Sequence, residues 1–241
     1  CKRSTFFLRT LKGQNMKRLT ILISTLLFLP FQIANAQVGQ AYYVQVSNPT
    51  ALIQALDTLN DTQAGRSDNI DVRLEISVSN GTSAATHSIV VNGAAASDMD
   101  ASRRANATSQ DWADFISIVQ DVAAPVAELV YVFMDVDNGK ESIVTSPNSY
   151  NNYVHLQVSD VATYMEALED LMAADTRNVY MHAYQVFGTG PNGANITVAL
   201  SANTLEDLLA PTTGYEEFLQ KTKDIRTPVS NGIYQVIKAW E

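Results

Sequence analysis

The stretch QVSNPTALIQALDTL, residues 45–59, is written a second time as QVSDVATYMEALEDL, residues 157–171. Gln-Val-Ser opens both, and an Ala-Leu pair with a Leu three residues later closes both, 112 positions apart (157 − 45). Self-similarity of this kind marks a chain assembled from copies of one supersecondary unit. The fold must therefore be one that two copies of that unit can complete.

The unit can be read residue by residue. In the first copy Tyr43-Val44-Gln45-Val46 alternates like a strand, and Ser47-Asn48-Pro49 ends it. Asn48 suits an N-cap and Pro49 the first helical position, where a missing N–H costs nothing. Leu52, Ile53, Leu56 and Leu59 then recur at helical spacing. The second copy repeats this with His155-Leu156-Gln157-Val158, a cap at Asp160, and Tyr164, Met165, Leu168 and Leu171. IDVRLEISVS (70–79) and NVYMHAYQVF (178–187) both alternate as half-buried strands do, and Gly/Asn-rich turns follow them at 80–81 and 188–193. Next come a strand at 88–91 or 196–200, a helix carrying Trp112, Phe115, Ile116 and Val119 or Tyr215, Phe218 and Leu219, and a last strand at 128–134 or 232–240. Phe115/Phe218 and Tyr131/Tyr234 are offset by 103, so the copies differ by nine residues (112 − 103). The polar stretch ASDMDASRRANATSQ (96–110) accounts for the difference and reads as an exposed loop.

Each copy is thus a β-α-β-β-α-β unit, the ferredoxin-like split βαβ, with helices on one sheet face and the other face bare. In element order and duplication the chain resembles the dimeric α+β-barrel superfamily, in which two such units pack sheet to sheet. Its members include antibiotic-biosynthesis-type monooxygenases, stress-responsive barrel proteins and haem-handling enzymes. The resemblance implies an α+β fold with both units in one chain, residues 37–136 and 153–241, joined by a linker at 137–152. Two ferredoxin-like domains that do not close into a barrel are the alternative. Duplication also implies that one chain suffices as the minimal unit, a monomer.

Alternate strand residues face opposite sides. Val44, Val46, Leu156 and Val158 on the first strands belong with the helices, as do Val72, Leu74, Ile76, Val179, Met181 and Ala183 on the second. That directs Tyr43, Gln45, His155, Gln157, Arg73, Glu75, Tyr180, His182 and Tyr184 to the bare face, between the two sheets. Ligand sites combine apolar walls with a few convergent polar groups, so these nine are the candidate ligand-binding residues. Arg73 and Glu75 are spaced to pair with each other. A histidine near a carboxylate titrates close to neutrality, which makes His182, Tyr184 and His155 the candidate catalytic groups. A purely structural reading also stands, because polar residues between sheets often only pair across an interface.

Other chemistries lack their residues. DVDNGKE (135–141) has its Gly one position early for a calcium loop, and Ser146 stands where the bidentate Glu belongs. His87, His155 and His182 lack the close spacing of a dedicated metal site, and no nucleophile elbow or dinucleotide fingerprint occurs. We therefore expect neither metal nor cofactor. The lone cysteine is Cys1, so disulfides within the chain are excluded.

Met16 opens MKRLTILISTLLFLPFQIANAQ, with Lys17 and Arg18, an apolar run from Leu19 to Ile33, and Ala34-Asn35-Ala36. That order is a secretory signal over residues 16–36, and residues 1–15 read as an upstream leader. The run is interrupted by Pro30 and is short for a spanning helix, which takes roughly 20 apolar residues. Export to a bacterial periplasm or beyond is the expectation. Residues 1–36 hold six basic and no acidic residues, so from Gln37 onward 10 basic residues (16 − 6) face 25 acidic ones, a formal charge of −15. Such a surface repels nucleic acid and anionic lipid. The reading that results is an exported barrel binding a small, partly apolar molecule between its sheets. The alternatives are a cofactor-independent monooxygenase or haem-associated enzyme, as the resemblance allows, or a barrel filled by its own side chains.

Overall fold

A computed structural model describes residues 37–62, 65, 69–141, 148–187 and 193–240. The leader and signal expected at 1–36, and the glycine-rich turn at 188–192, lie outside the described residues. The strands are β1 (Val38–Val46), β2 (Ile70–Ser79), β3 (His87–Gly93), β4 (Ala123–Asp137), β5 (Tyr150–Val158), β6 (Tyr180–Phe187), β7 (Ile196–Ala202) and β8 (Arg226–Trp240). They close into one barrel in the order β1-β3-β2-β8-β5-β7-β6-β4, every neighbour antiparallel. Within each copy the order is that of a ferredoxin-like sheet. The β2–β8 and β6–β4 seams join the two copies, so the expected intramolecular α+β barrel is the fold, and the side-by-side alternative is not.

The described helices pack outside this barrel: α1 (Pro49–Asn60), α2 (Ala96–Asn106), α3 (Gln110–Val122), α4 (Val161–Ala174), α5 (Leu205–Leu209) and α6 (Tyr215–Thr222). The helix starts follow from their caps. Asn48 Oδ1 accepts the Ala51 N–H at 3.2 Å, and Asp160 Oδ1 accepts the Thr163 N–H at 3.1 Å. Cores form beneath the helices of each copy. Leu52, Leu56 and Phe115 pack on Leu74, Ile89 and, across the seam, Trp240 of β8, and Tyr164, Leu168 and Phe218 pack on Leu156, Met181 and Ile196 in the second copy. Among the described residues no helix is long and apolar enough to cross a membrane.

Two details correct the sequence reading. The stretch at 96–110 is not a loop throughout, because 96–106 form α2. Its polarity hides the helix, yet Asp98 Oδ2 accepts the Ala95 N–H at 2.9 Å, Met99 is buried, and Arg103 and Arg104 sit in the last turn, where cations are favoured. The short helix α5 stands at the same place in the second copy, so the nine-residue difference is largely the longer helix. The segment between copies is also shorter than 137–152: β4 includes Asp137 and β5 begins at Tyr150, while 142–147 lie outside the described residues.

The copies also share a defect. Across β1 and β4 the pairs run Tyr43 to Ala127 and then Val44 to Pro125, leaving Val126 extra. Across β5 and β8 they run His155 to Ser230 and then Leu156 to Pro228, leaving Val229 extra. A bulge accommodates a proline that cannot donate to the ladder. Both bulges lie toward the end of the barrel where β1 and β5 finish.

Candidate functional site

The ladders set which residues of the two copies correspond. Glu75 pairs with Ser88 as Tyr184 pairs with Thr197, so the second strands match at an offset of 109 (184 − 75). Arg73 then corresponds to His182, and Asp71 to Tyr180. Strands β1, β2, β5 and β6 all run one way, and the pseudo-two-fold axis lies along the barrel. Equivalent residues therefore meet inside it from opposite walls.

The middle of the barrel is filled. Tyr43, Tyr131, Tyr153, Tyr184 and Tyr234 form its buried interior with Leu129 and Val90. Their rings pack closely, with Tyr131–Tyr184 centroids 4.6 Å apart and Tyr43–Tyr234 5.8 Å. A gap of about 10 Å³ lies beside Tyr43, Tyr153 and His155, room for about one water. His155 Nδ1 bonds the Thr197 hydroxyl at 2.8 Å, and its Nε2 lies 3.5 Å from the Tyr43 hydroxyl. Burial pushes its pKa down to about 4.

Glu75 is completely buried among these rings. Its Oε1 accepts the Asn151 Nδ2–H at 2.7 Å and the Tyr153 hydroxyl at 2.8 Å, both from the other copy. Burial raises its pKa, while the Arg73 charge and the two hydrogen bonds oppose that rise. The expected Arg73–Glu75 ion pair is not made among the described residues. The nearest carboxylate to Arg73 Nε is Asp71, at 3.8 Å.

One end of the barrel is open. Where β1, β2 and β6 begin, a cavity of about 200 Å³ is lined by Asp71 and Arg73 from one wall, Tyr180, His182 and Tyr184 from the other, and Phe133 and Val236 between them. Phe133 and His182 stack at 5.7 Å with their planes 12° apart, and Tyr180 lies 4.4 Å from His182. His182 Nε2 is hydrogen-bonded to the Tyr184 hydroxyl, while its Nδ1 and the Nε of Arg73 are buried without a hydrogen-bond partner among the described residues. Burial, reinforced by the Arg73 charge, pushes the His182 pKa down to about 3, so the ring is neutral at physiological pH. Burial likewise lifts the Tyr184 hydroxyl well above its usual pKa.

Of the nine residues expected to face the interior, Arg73, Tyr180, His182 and Tyr184 are brought together at this pocket. Tyr43 and His155 lie deeper, and Glu75 is locked in its own network. Gln45 and Gln157 are exposed and line neither of these two cavities. They sit past the bulges, at the barrel end opposite the pocket, where alternation no longer means enclosure. Sequence reasoning missed Asp71, Asn92 and Phe133. Asp71 could have been found two positions before Arg73 on one strand face, and Phe133 two positions after Tyr131. Asn92 gave no such signal.

A haem does not fit these residues. The cavity of about 200 Å³ is below the roughly 300–1,000 Å³ of sites for drug-sized molecules, and a porphyrin is larger than most of those. His182 Nε2 is engaged by Tyr184 and His155 by Thr197, inside a packed tyrosine core. Among the described residues no three His, Cys, Asp or Glu side chains are grouped to hold a metal ion.

No family model and no curated protein matches the sequence. Solved structures do match in fold. A candidate monooxygenase from Fusobacterium nucleatum superposes with a TM-score of 0.57 at 12% identity, over 85% of this chain and 93% of its own. A candidate chlorite dismutase gives 0.54 at 7% identity, over 85% and 96%. An anthrone oxidase-like protein gives 0.52 at 8%, over 86% and 93%. The fold is therefore the one these proteins share, an α+β barrel, here with both ferredoxin-like units in one polypeptide.

Proposed function

We propose that this single-chain α+β barrel binds a small, partly apolar molecule in the pocket at the end of the barrel where β1, β2 and β6 begin. The observation that carries the reading is an aromatic-walled cavity of about 200 Å³ bordered by Arg73 and His182, each with a buried nitrogen that has no hydrogen-bond partner among the described residues. Unpartnered buried polar atoms are costly, and a ligand is one way to offset that cost. The signal pattern at 16–36 and the charge of −15 beyond it support an exported protein that engages neither nucleic acid nor, once processed, the membrane. Because both seams form within the chain, the proposed working unit is a monomer. Native mass spectrometry of the protein purified from a periplasm tests this. A single chain carrying a small adduct, lost in His182→Ala, is expected; an empty obligate dimer contradicts it.

A second reading, a cofactor-independent oxygenase, draws support from the His182–Tyr184 hydrogen bond in the pocket and from the names of the fold neighbours. A histidine with a pKa of about 3 is a weak base at neutral pH, which favours binding over catalysis. Loss of quinol oxidation in both His182→Ala and Tyr184→Phe, with the fold intact, selects the oxygenase. Unchanged turnover, or none in any form, leaves binding.

A further inference from the structure

The pocket also carries information about the charge and shape of what enters it. Arg73 is 7% exposed, lines the pocket, and makes no hydrogen bond to any described residue. Arginine stays protonated in proteins, so a nearly buried cation lines this space with its Nε hydrogen-bonded to nothing. Its ion-pair contact among the described residues, with Asp71, is a long one. Asp71 approaches no nearer than 3.8 Å, and its Oδ2 already accepts the Asn92 Nδ2–H at 2.9 Å. Asn92 is fixed in turn by the Tyr131 hydroxyl, which donates to its Oδ1 at 2.6 Å. Glu75, next on the same strand face, is turned away toward Asn151 and Tyr153. The position equivalent to Arg73 in the other copy holds His182, which is neutral and presents a ring.

The walls define a shape. Phe133 stacks on His182, and Tyr180 packs on the same imidazole, which makes one wall aromatic. An apolar cavity of about 150 Å³ is known to accept benzene, so about 200 Å³ accommodates one ring and a small substituent. Asp71 and the exposed Glu141 border the same space, and their charges disfavour a dianion.

Resting on the reading that this pocket is the binding site, we infer that its ligand is a monoanionic, single-ring acid, an aromatic carboxylate whose carboxylate pairs with Arg73 while its ring lies against the Phe133–His182 wall. The guanidinium fork matches a carboxylate bidentately, and such charge-assisted pairs are the strong ones in a dry site. Lysine, a point charge, reproduces the attraction and loses the fork.

Calorimetric titration of the full chain with benzoate and with benzamide, its neutral isostere, tests the inference without any variant. Benzoate is expected to bind at least about tenfold more tightly, the discrimination a hydrogen bond to a charged group supplies. Arg73→Gln is expected to abolish the preference for benzoate over benzamide, with Arg73→Lys between. Equal binding of the two probes, or a preference for benzamide, overturns the carboxylate inference and leaves the pocket reading standing. Binding of neither probe removes both. A benzoate preference that survives Arg73→Gln in a folded protein shows that the anion is held elsewhere and also overturns the inference.

Discussion

Truncating Glu75 to alanine should be among the most damaging single changes in this protein, and the reason lies in where its hydrogen bonds go. The carboxylate belongs to β2 of one copy and its two donors, Asn151 and Tyr153, to β5 of the other, so the group ties the two halves together inside the barrel. Glu75→Ala leaves two buried donors without an acceptor, at about 1–3 kcal/mol each, or about 2–6 kcal/mol together, before any cavity term is added. Asn151 keeps the contact its Oδ1 makes with the Ser201 hydroxyl at 2.6 Å, which holds its amide in place and prevents easy rescue. Glu75→Gln retains an acceptor of the same shape and should cost less than ~1 kcal/mol at neutral pH. The two variants also separate through pH. Burial raises the folded-state pKa of Glu75, so the folded protein binds this proton more readily than the unfolded chain does. The stability contributed by the group is greatest below the unfolded value of about 4.3 and is lost as pH rises through the folded value, a slope that Gln removes. Urea unfolding read by tyrosine fluorescence, at unchanged m-value, measures each term. A Glu75→Ala loss below ~1 kcal/mol refutes the network as a link between the halves.

Further outcomes follow from other contacts. A Cβ at Gly39 would stand 2.2 Å from Cζ of Tyr131, whose hydroxyl is fixed by Asn92, so Gly39→Ala should destabilise by about 1–3 kcal/mol in thermal unfolding. His155 and His182, with pKa values pushed down to about 4 and about 3, should show no imidazole titration by NMR between pH 5 and 8. Because the unfolded histidines bind protons near pH 6.5 and the folded ones do not, their contribution to stability is full above that pH and is lost as pH falls below it. Asn48→Ala removes the α1 cap and should cost about 1 kcal/mol in urea unfolding without moving the pocket.

The architecture was legible because duplication and alternation are local signals. Asn48-Pro49 and Asp160 fix where helices start, and the matched Tyr131 and Tyr234 align the last strands. The helix at 96–106 was not legible, since its stability rests on Asp98 bonding its own N-terminus and on a single buried Met99 rather than on an apolar stripe. At the site, strand alternation correctly turned Arg73, His182 and Tyr184 inward. It could not say at what height along the barrel each would stand. That depends on register between distant strands, which is why Gln45 and Gln157 were grouped with residues at the other end, and why the partner of Glu75 proved to be Asn151 and Tyr153 rather than Arg73.

Everything proposed for the pocket depends on the two seams that bring Arg73 and His182 to face each other. Native-state hydrogen exchange measures them directly. If one chain closes its own barrel, the amides that donate across β2–β8 and across β4–β6 should exchange as slowly as those along β1–β3 within a copy. Rapid exchange at both seams beside slow exchange within each copy would mean two open sheets, and would dissolve the pocket along with the barrel.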